Sequence, residues 1–238
     1  AKRFVLLDMF LFNDFAGGSG APWRPLTEQL ARALLERKDE VPGLRIVFIT
    51  DPFNMLYGGV RNPWLEKLEA AGVEVIDTDL TQLRDPNPAW SSIWRLCCQW
   101  FGNSRHGWLP SPVGSEPVTL RTYMELLNFK ANHRKTLAVD HGDGWAGLVT
   151  SGNPHSASSR HSNVALKFEG PAVLDLMRTE SSVAAFSGDD LALPDTDEPA
   201  RSREAPALRI VTEADIRNAV LDILHSAERG DALDLQMF

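Results

Sequence analysis

The segment NHRKTLAVD, residues 132–140, sets His133, Lys135 and Asp140 in the spacing H-x-K-x-x-x-x-D. A neutral imidazole can attack phosphorus. An ammonium beside it can hold the non-bridging phosphate oxygens and offset the charge that builds up on them. On an extended strand residues i and i+2 share a face, so His133 and Lys135 should point the same way, ahead of Leu137 and Val139 in the core. Asp140, five residues beyond Lys135, falls on the other face or past the strand end. There it is better placed to organise or to pair than to touch the same atom.

The surrounding sequence must supply elements that hold such a group. Phe4 to Asn13 is a nearly continuous apolar run, as expected of a strand buried on both faces. After the Gly-rich FAGGSGAPW, Pro25 opens a helix whose apolar face carries Leu26, Leu30, Ala33 and Leu34. LRIVFITD is a second strand, PWLEKLEAAG a short helix ended by Gly72, and VEVIDTD a third strand. Strands alternating with helices predict an α/β fold with a mostly parallel sheet and helices on its faces. LLNFKANHRKTLAVD, a turn at HGDG, and GWAGLVTSGN read as two neighbouring strands. NVALKFEG then reads as a further strand, and PAVLDLMRTE as a helix begun by Pro171.

Composition narrows the classes. The chain has 238 residues, 43% of them hydrophobic, enough for a full core. A net charge of −8 gives no global attraction to nucleic acid or to anionic lipid, so phosphate binding has to come from a local group of cations. The only cysteines are the neighbours Cys97 and Cys98, which cannot supply a multi-ligand metal site and are not expected to bridge each other. No run of about 18 apolar residues is present, and the first residues lack a signal-peptide cleavage site, which points to a cytoplasmic or membrane-peripheral location. FAGGSGAP lacks the G-K-[ST] of a nucleotide-binding loop and is read as a plain loop. The chain begins without Met, so its natural N-terminus is expected upstream.

Residues 84–128 interrupt the α/β rhythm with Trp90, Trp94, Trp100, Phe101 and Trp108. Trp90, Trp94, Cys97 and Phe101 fall on one helical stripe, which predicts a helical insertion docked by its aromatic face. The alternative is an element that meets lipid, since Trp favours the headgroup level. Residues 187–207 are polar and Pro-rich and read as a linker. Residues 208–238 hold a helix with the cap T-x-x-D, Thr212 to Asp215, followed by LDLQMF. That ending matches VLLDMF near the start, and it predicts the opening of a second, truncated repeat of the domain at 1–186.

His133, Lys135 and Asp140 resemble the H-K-D signature of the phospholipase D superfamily. TSGNPHSAS, residues 150–158, resembles the G-S-x-N segment that follows it, which assigns Ser151 and Asn153 to the pocket. NHRKTLAVD, FEGPAV and the strand ending FND are most similar to cardiolipin synthase-like phosphatidyltransferases. The resemblance covers about residues 1–177. It implies a phospholipase D-like α/β/α sandwich and a two-step displacement at a phosphodiester, without metal or organic cofactor. One motif's histidine attacks phosphorus to form a phosphohistidine, and the other motif's histidine protonates the leaving alcohol. Water or a second alcohol then accepts the phosphoryl group. His133 would be nucleophile or general acid, Lys135 a phosphate clamp, and Ser151 and Asn153 supporting polar groups.

The sequence also departs from that pattern. Thr150 replaces the glycine before the serine, and Asn163 stands where the family often has an acidic residue to orient the histidine. An amide accepts a hydrogen bond from imidazole but cannot stabilise imidazolium by charge. Only one H-x-K occurs, so the second motif is expected from the missing repeat or from a homodimer. The implied partners are a phospholipid, an alcohol or water acceptor, and a membrane surface met peripherally. Two alternatives are a nuclease of the same superfamily working as a one-motif homodimer, which the net charge disfavours, and a non-catalytic phosphate- or lipid-binding module.

Overall fold

A computed structural model describes residues 1–15, 23–195 and 208–232. The chain divides into two units, Ala1–Arg201 and Ser202–Phe238, a division that falls inside the region read as a linker. Most of the Gly-rich loop, residues 196–207 of that linker, and the LDLQMF ending all lie outside the described residues.

The first unit runs β1 (Phe4–Met9), α1 (Leu26–Glu40), β2 (Arg45–Thr50), α2 (Pro63–Ala70), β3 (Glu74–Asp77), α3 (Pro88–Cys97), α4 (Leu120–Leu126), β4 (Lys135–His141), β5 (Gly144–Thr150), β6 (Ala165–Glu169) and α5 (Ala172–Phe186). The strands form one open six-stranded sheet in the order β3-β2-β1-β4-β5-β6. β1 pairs parallel with β2, and β2 with β3, as the alternation of strands and helices predicts. The other half departs from the expected mostly parallel sheet: β1–β4, β4–β5 and β5–β6 are antiparallel. The tight turn between β4 and β5, with Gly142 at φ 58°, allows nothing else, because a parallel return needs a crossover of a dozen or more residues.

Side-chain alternation divides the sheet into two faces. Val5, Leu7 and Met9 of β1, Ile46 and Phe48 of β2, and Leu137 and Val139 of β4 pack with Ala31 and Leu34 of α1 and Leu65 and Leu68 of α2. The opposite face of β4 and β5 is covered by α5, whose Glu180 accepts a hydrogen bond from Thr136 Oγ1 at 2.8 Å. β1 ends at Met9, short of the expected Asn13. Beyond it, buried amides from elsewhere replace the ladder. Asn54 accepts from Phe12 N–H at 2.8 Å and donates to Phe10 O at 2.9 Å, and Asn62 donates to Phe12 O at 2.7 Å.

The insertion docks through fewer aromatics than its stripe predicts. Trp94 is buried, and Trp90 donates its indole N–H to Met124 O at 2.8 Å. Phe101 lies past the end of α3 and is exposed, as are Ile93, Leu96, Trp100 and Trp108. Cys97 and Cys98 are joined in a disulfide, contrary to expectation, and a bridge between neighbours still ties no distant segments together. Residues 187–195 begin as packed chain, since Leu191 is buried and its carbonyl accepts from Ser181 Oγ. In the second unit α6 (Ala214–Ser226) begins two residues after the expected Thr212 cap, with Glu213 as its N-cap. Ile216, Val220, Ile223 and Leu224, which recur at helical spacing on α6, are exposed. Among the described residues no helix is long and apolar enough to cross a membrane.

Candidate functional site

Antiparallel pairing sets Met9 opposite Lys135, so the end of β1 and the start of β4 meet at one end of the sheet. Phe10 N–H continues the pairing with Arg134 O at 3.0 Å. His133 lies two residues before β4 rather than within a strand, because the ladder does not reach it. Phe10 is the shared floor: its ring centroid is 4.6 Å from that of His133 and 5.0 Å from Lys135 Nζ. The two motif residues therefore do lie on one side, as their spacing predicts, with Leu137 and Val139 continuing into the core.

The pair differs in exposure. His133 is exposed, whereas Lys135 is 5% exposed and donates from Nζ to His133 O at 2.7 Å. Partial desolvation first, and the Lys135 ammonium second, hold the imidazole below its ordinary value, which favours the neutral nucleophilic form. Burial pulls Lys135 down to about 8, against the pull of Asp8 in the other direction. The ammonium therefore loses its charge as pH rises through about 8. Between pH 7 and 9 its charged fraction falls about tenfold, and the affinity for inorganic tungstate, an anion of phosphate shape, should fall by the same factor. Calorimetric titration across that range checks this; an affinity unchanged at pH 9 would remove Lys135 as the anion clamp.

Asp140 sits away from this pair. It lies on the opposite face of β4, five residues further on, roughly 17 Å along a strand that rises about 3.4 Å per residue. Its carboxylate accepts the backbone N–H groups of Lys2, Arg3 and Phe4 at 2.8–3.1 Å and so fixes the start of β1. Asp140 thus organises the start of β1, the kind of role its position on the other face allowed.

The segment after β5 returns to the same end of the sheet. Asn153 Oδ1 accepts from Leu11 N–H at 3.1 Å, next to Phe10, and His155 Nδ1 meets Asn13 O at 2.8 Å. Ser151 and Asn163 are exposed and joined to each other, Ser151 Oγ lying 3.4 Å from Asn163 Oδ1. Asn163 Nδ2 donates to Ser158 O and His161 O, so its amide organises its own loop rather than the His133 ring. Thr150, in place of glycine, closes the turn by accepting from Gly152 N–H and donating to Val164 O, both at 3.0 Å. Two surface cavities, of 320 and 220 Å³, are lined by neither His133 nor Lys135. His133 stands exposed, with its ring against Phe10.

Several residues of the site were not singled out in the sequence. Phe10 is one, hidden as the tail of an apolar run. Asp8, Asn132 and Glu180 are others, all buried directly behind the motif. The signal for Asp8 and Glu180 was a charge inside an otherwise apolar strand or helix face.

Fold and site together define an open mixed α/β sheet with helices on both faces and a histidine–lysine pair at the junction of its parallel and antiparallel halves. Comparison with known proteins found no matching family model and no matching curated protein.

Proposed function

We propose that this chain carries one half of a phospholipase D-type phosphodiester site, on a phospholipase D-like α/β/α sandwich, and acts on phospholipid as a phosphatidyltransferase or phosphodiesterase. The observation that carries the reading is the pairing of an exposed imidazole, held neutral, with a sequestered ammonium on one aromatic floor. In the first step the His133 nitrogen forms a bond to phosphorus as the bond from phosphorus to the leaving alcohol breaks, and a histidine of a second motif gives that alcohol its proton. In the second step water or another alcohol, deprotonated by the same group, displaces His133. Lys135 holds the non-bridging oxygens, with Asn153 lining the rim.

The outer side of α3 supports a membrane-peripheral setting. Ile93 and Leu96 on α3 and Trp100 just past its end are exposed, a surface suited to the headgroup level of a bilayer. The second motif is supplied by another copy of the chain or by further sequence. Incubation with phosphatidylglycerol vesicles, of the chain alone and of a longer form bearing a second H-x-K, tests the reading. Release of glycerol or formation of a transfer product is expected from at least one form. Neither transfer nor hydrolysis in either form would remove the proposal.

A further inference from the structure

We propose that Asp8 and Glu180 share one proton behind the motif and, acting through Asn132, Arg134 and Thr136, position the backbone that presents His133 and Lys135. The inference rests on the proposed function for its meaning but on separate observations for its support. Residues 132 to 136 alternate. His133 and Lys135 turn to the Phe10 side, while Asn132, Arg134 and Thr136 turn to the α5 side, and each is held there by a carboxylate. Asn132 Nδ2 lies 2.9 Å from both oxygens of Asp8 and 3.0 Å from Thr78 Oγ1, and its backbone N–H donates to Asp51 Oδ2 at 2.7 Å. Arg134 reaches Glu180 Oε2 at 3.3 Å, and Thr136 Oγ1 donates to Glu180 Oε1 at 2.8 Å.

Asp8 is 0% and Glu180 1% exposed, and they meet over one residue of β4: Asp8 lies opposite Thr136 in the β1–β4 ladder, and Thr136 Oγ1 donates to Glu180. The charged groups facing them are Arg134 and, more weakly, Lys135, with Asp51 beyond Asn132 at the end of β2 and Asp77 beyond that on β3. Two buried carboxylates against so little positive charge repel, and a proton held between them removes the repulsion and supplies a hydrogen bond. Burial first, and the Glu180 charge second, raise Asp8 well above the carboxylate range, in keeping with this. The arrangement leaves residues 132, 134 and 136 no freedom, so 133 and 135 inherit their direction from the acid pair.

Both carboxyls ionise near pH 4 in the unfolded chain, while the folded pair keeps one proton. Above that pH the folded state binds more protons, so wild-type stability falls as pH rises, until the shared proton is lost. In Glu180→Gln the charge repulsion is gone and the amide donates to Asp8, so that buried carboxyl holds its proton less strongly than the wild-type pair does. The unfolding equilibrium constant of the wild type, relative to that of Glu180→Gln, should therefore rise with pH, by at most about tenfold per unit, until the shared proton is lost. The positioning role is read by NMR titration of His133. In Glu180→Gln its midpoint stays at the wild-type value, and in Asn132→Ala it moves up toward that of a free histidine as the ring leaves Phe10. Asn132→Ser, which keeps a donor and little volume, shifts it less and serves if the alanine variant does not fold. A pH-independent ratio of unfolding constants would overturn the shared proton. An unmoved His133 midpoint in folded Asn132 variants would overturn the positioning role and leave a structural one. Neither readout needs turnover, so an inactive protein that met both expectations would count against the proposed function and not against this inference.

Discussion

Replacing His133 by Ala should lower turnover of a phosphodiester by roughly 10⁴-fold or more, the order of effect expected when a covalent nucleophile is removed. The same change should leave the folded state almost untouched. His133 is exposed, lies outside β4, and contributes one tilted contact with Phe10 to packing. Surface substitutions of this kind alter stability by about 0.5 kcal/mol or less, with loss of the ring contact able to add a similar amount. A steady-state assay beside a urea unfolding curve separates the two effects. A loss of activity matched by a loss of folded protein would mean that His133 is structural. Activity within tenfold of wild type would mean that the nucleophile is elsewhere.

Asp140→Ala should do the reverse. The carboxylate accepts three backbone N–H groups at the start of β1, and that of Phe4 is buried. Hydrogen bonds to a charged acceptor contribute about 1.5–3 kcal/mol each, and an orphaned buried donor adds its own cost. Some of this is recovered when water reaches Lys2 and Arg3, so a net loss of about 3 kcal/mol is expected, seen as a lower urea midpoint at unchanged slope. Burial pushes this carboxyl up, but the three backbone hydrogen bonds together outweigh it and hold Asp140 below the carboxylate range. Its contribution is therefore present above the unfolded value near pH 4 and is lost as pH falls through the lower folded value. The His133 NMR shift should be unchanged in the folded variant, because the carboxylate acts at the other end of β4. A shift of the His133 signal equal to that of an active-site change would contradict the separation of roles.

The H-x-K spacing is what a strand turns into a face, so the common side of His133 and Lys135, and the burial of Leu137 and Val139 behind them, were legible from period alone. The parallel half of the sheet was legible for the same reason, since β1, α1, β2, α2 and β3 each carry their own local signals. The antiparallel half was only partly so. The HGDG turn fixed β4 against β5, but β4 joins β1 after a long excursion, and nothing in its residues states its direction. β1 was read too long because Asn54 and Asn62, some 40 to 50 residues away, satisfy the backbone of residues 10–12 in place of a ladder. The acid pair behind the motif was hidden by distance: Asp8 and Glu180 are 172 residues apart, and each alone is an oddity in an apolar element. The outward-facing aromatics of the insertion were visible as residues, but which of them docked depended on α4 and the Asn128 amide that α3 packs against.

The central claim is that His133 becomes covalently bound to phosphorus. The direct measurement is mass spectrometry of the peptide containing residue 133 after the protein, supplied with a second motif, is mixed with phosphatidylglycerol and denatured in alkali, where a phosphorus–nitrogen bond on histidine survives. The account predicts an adduct on His133 that forms during turnover, disappears in mild acid, and is absent from His133→Ala. Substrate consumption with His133 unmodified, or the adduct on another residue, would contradict it.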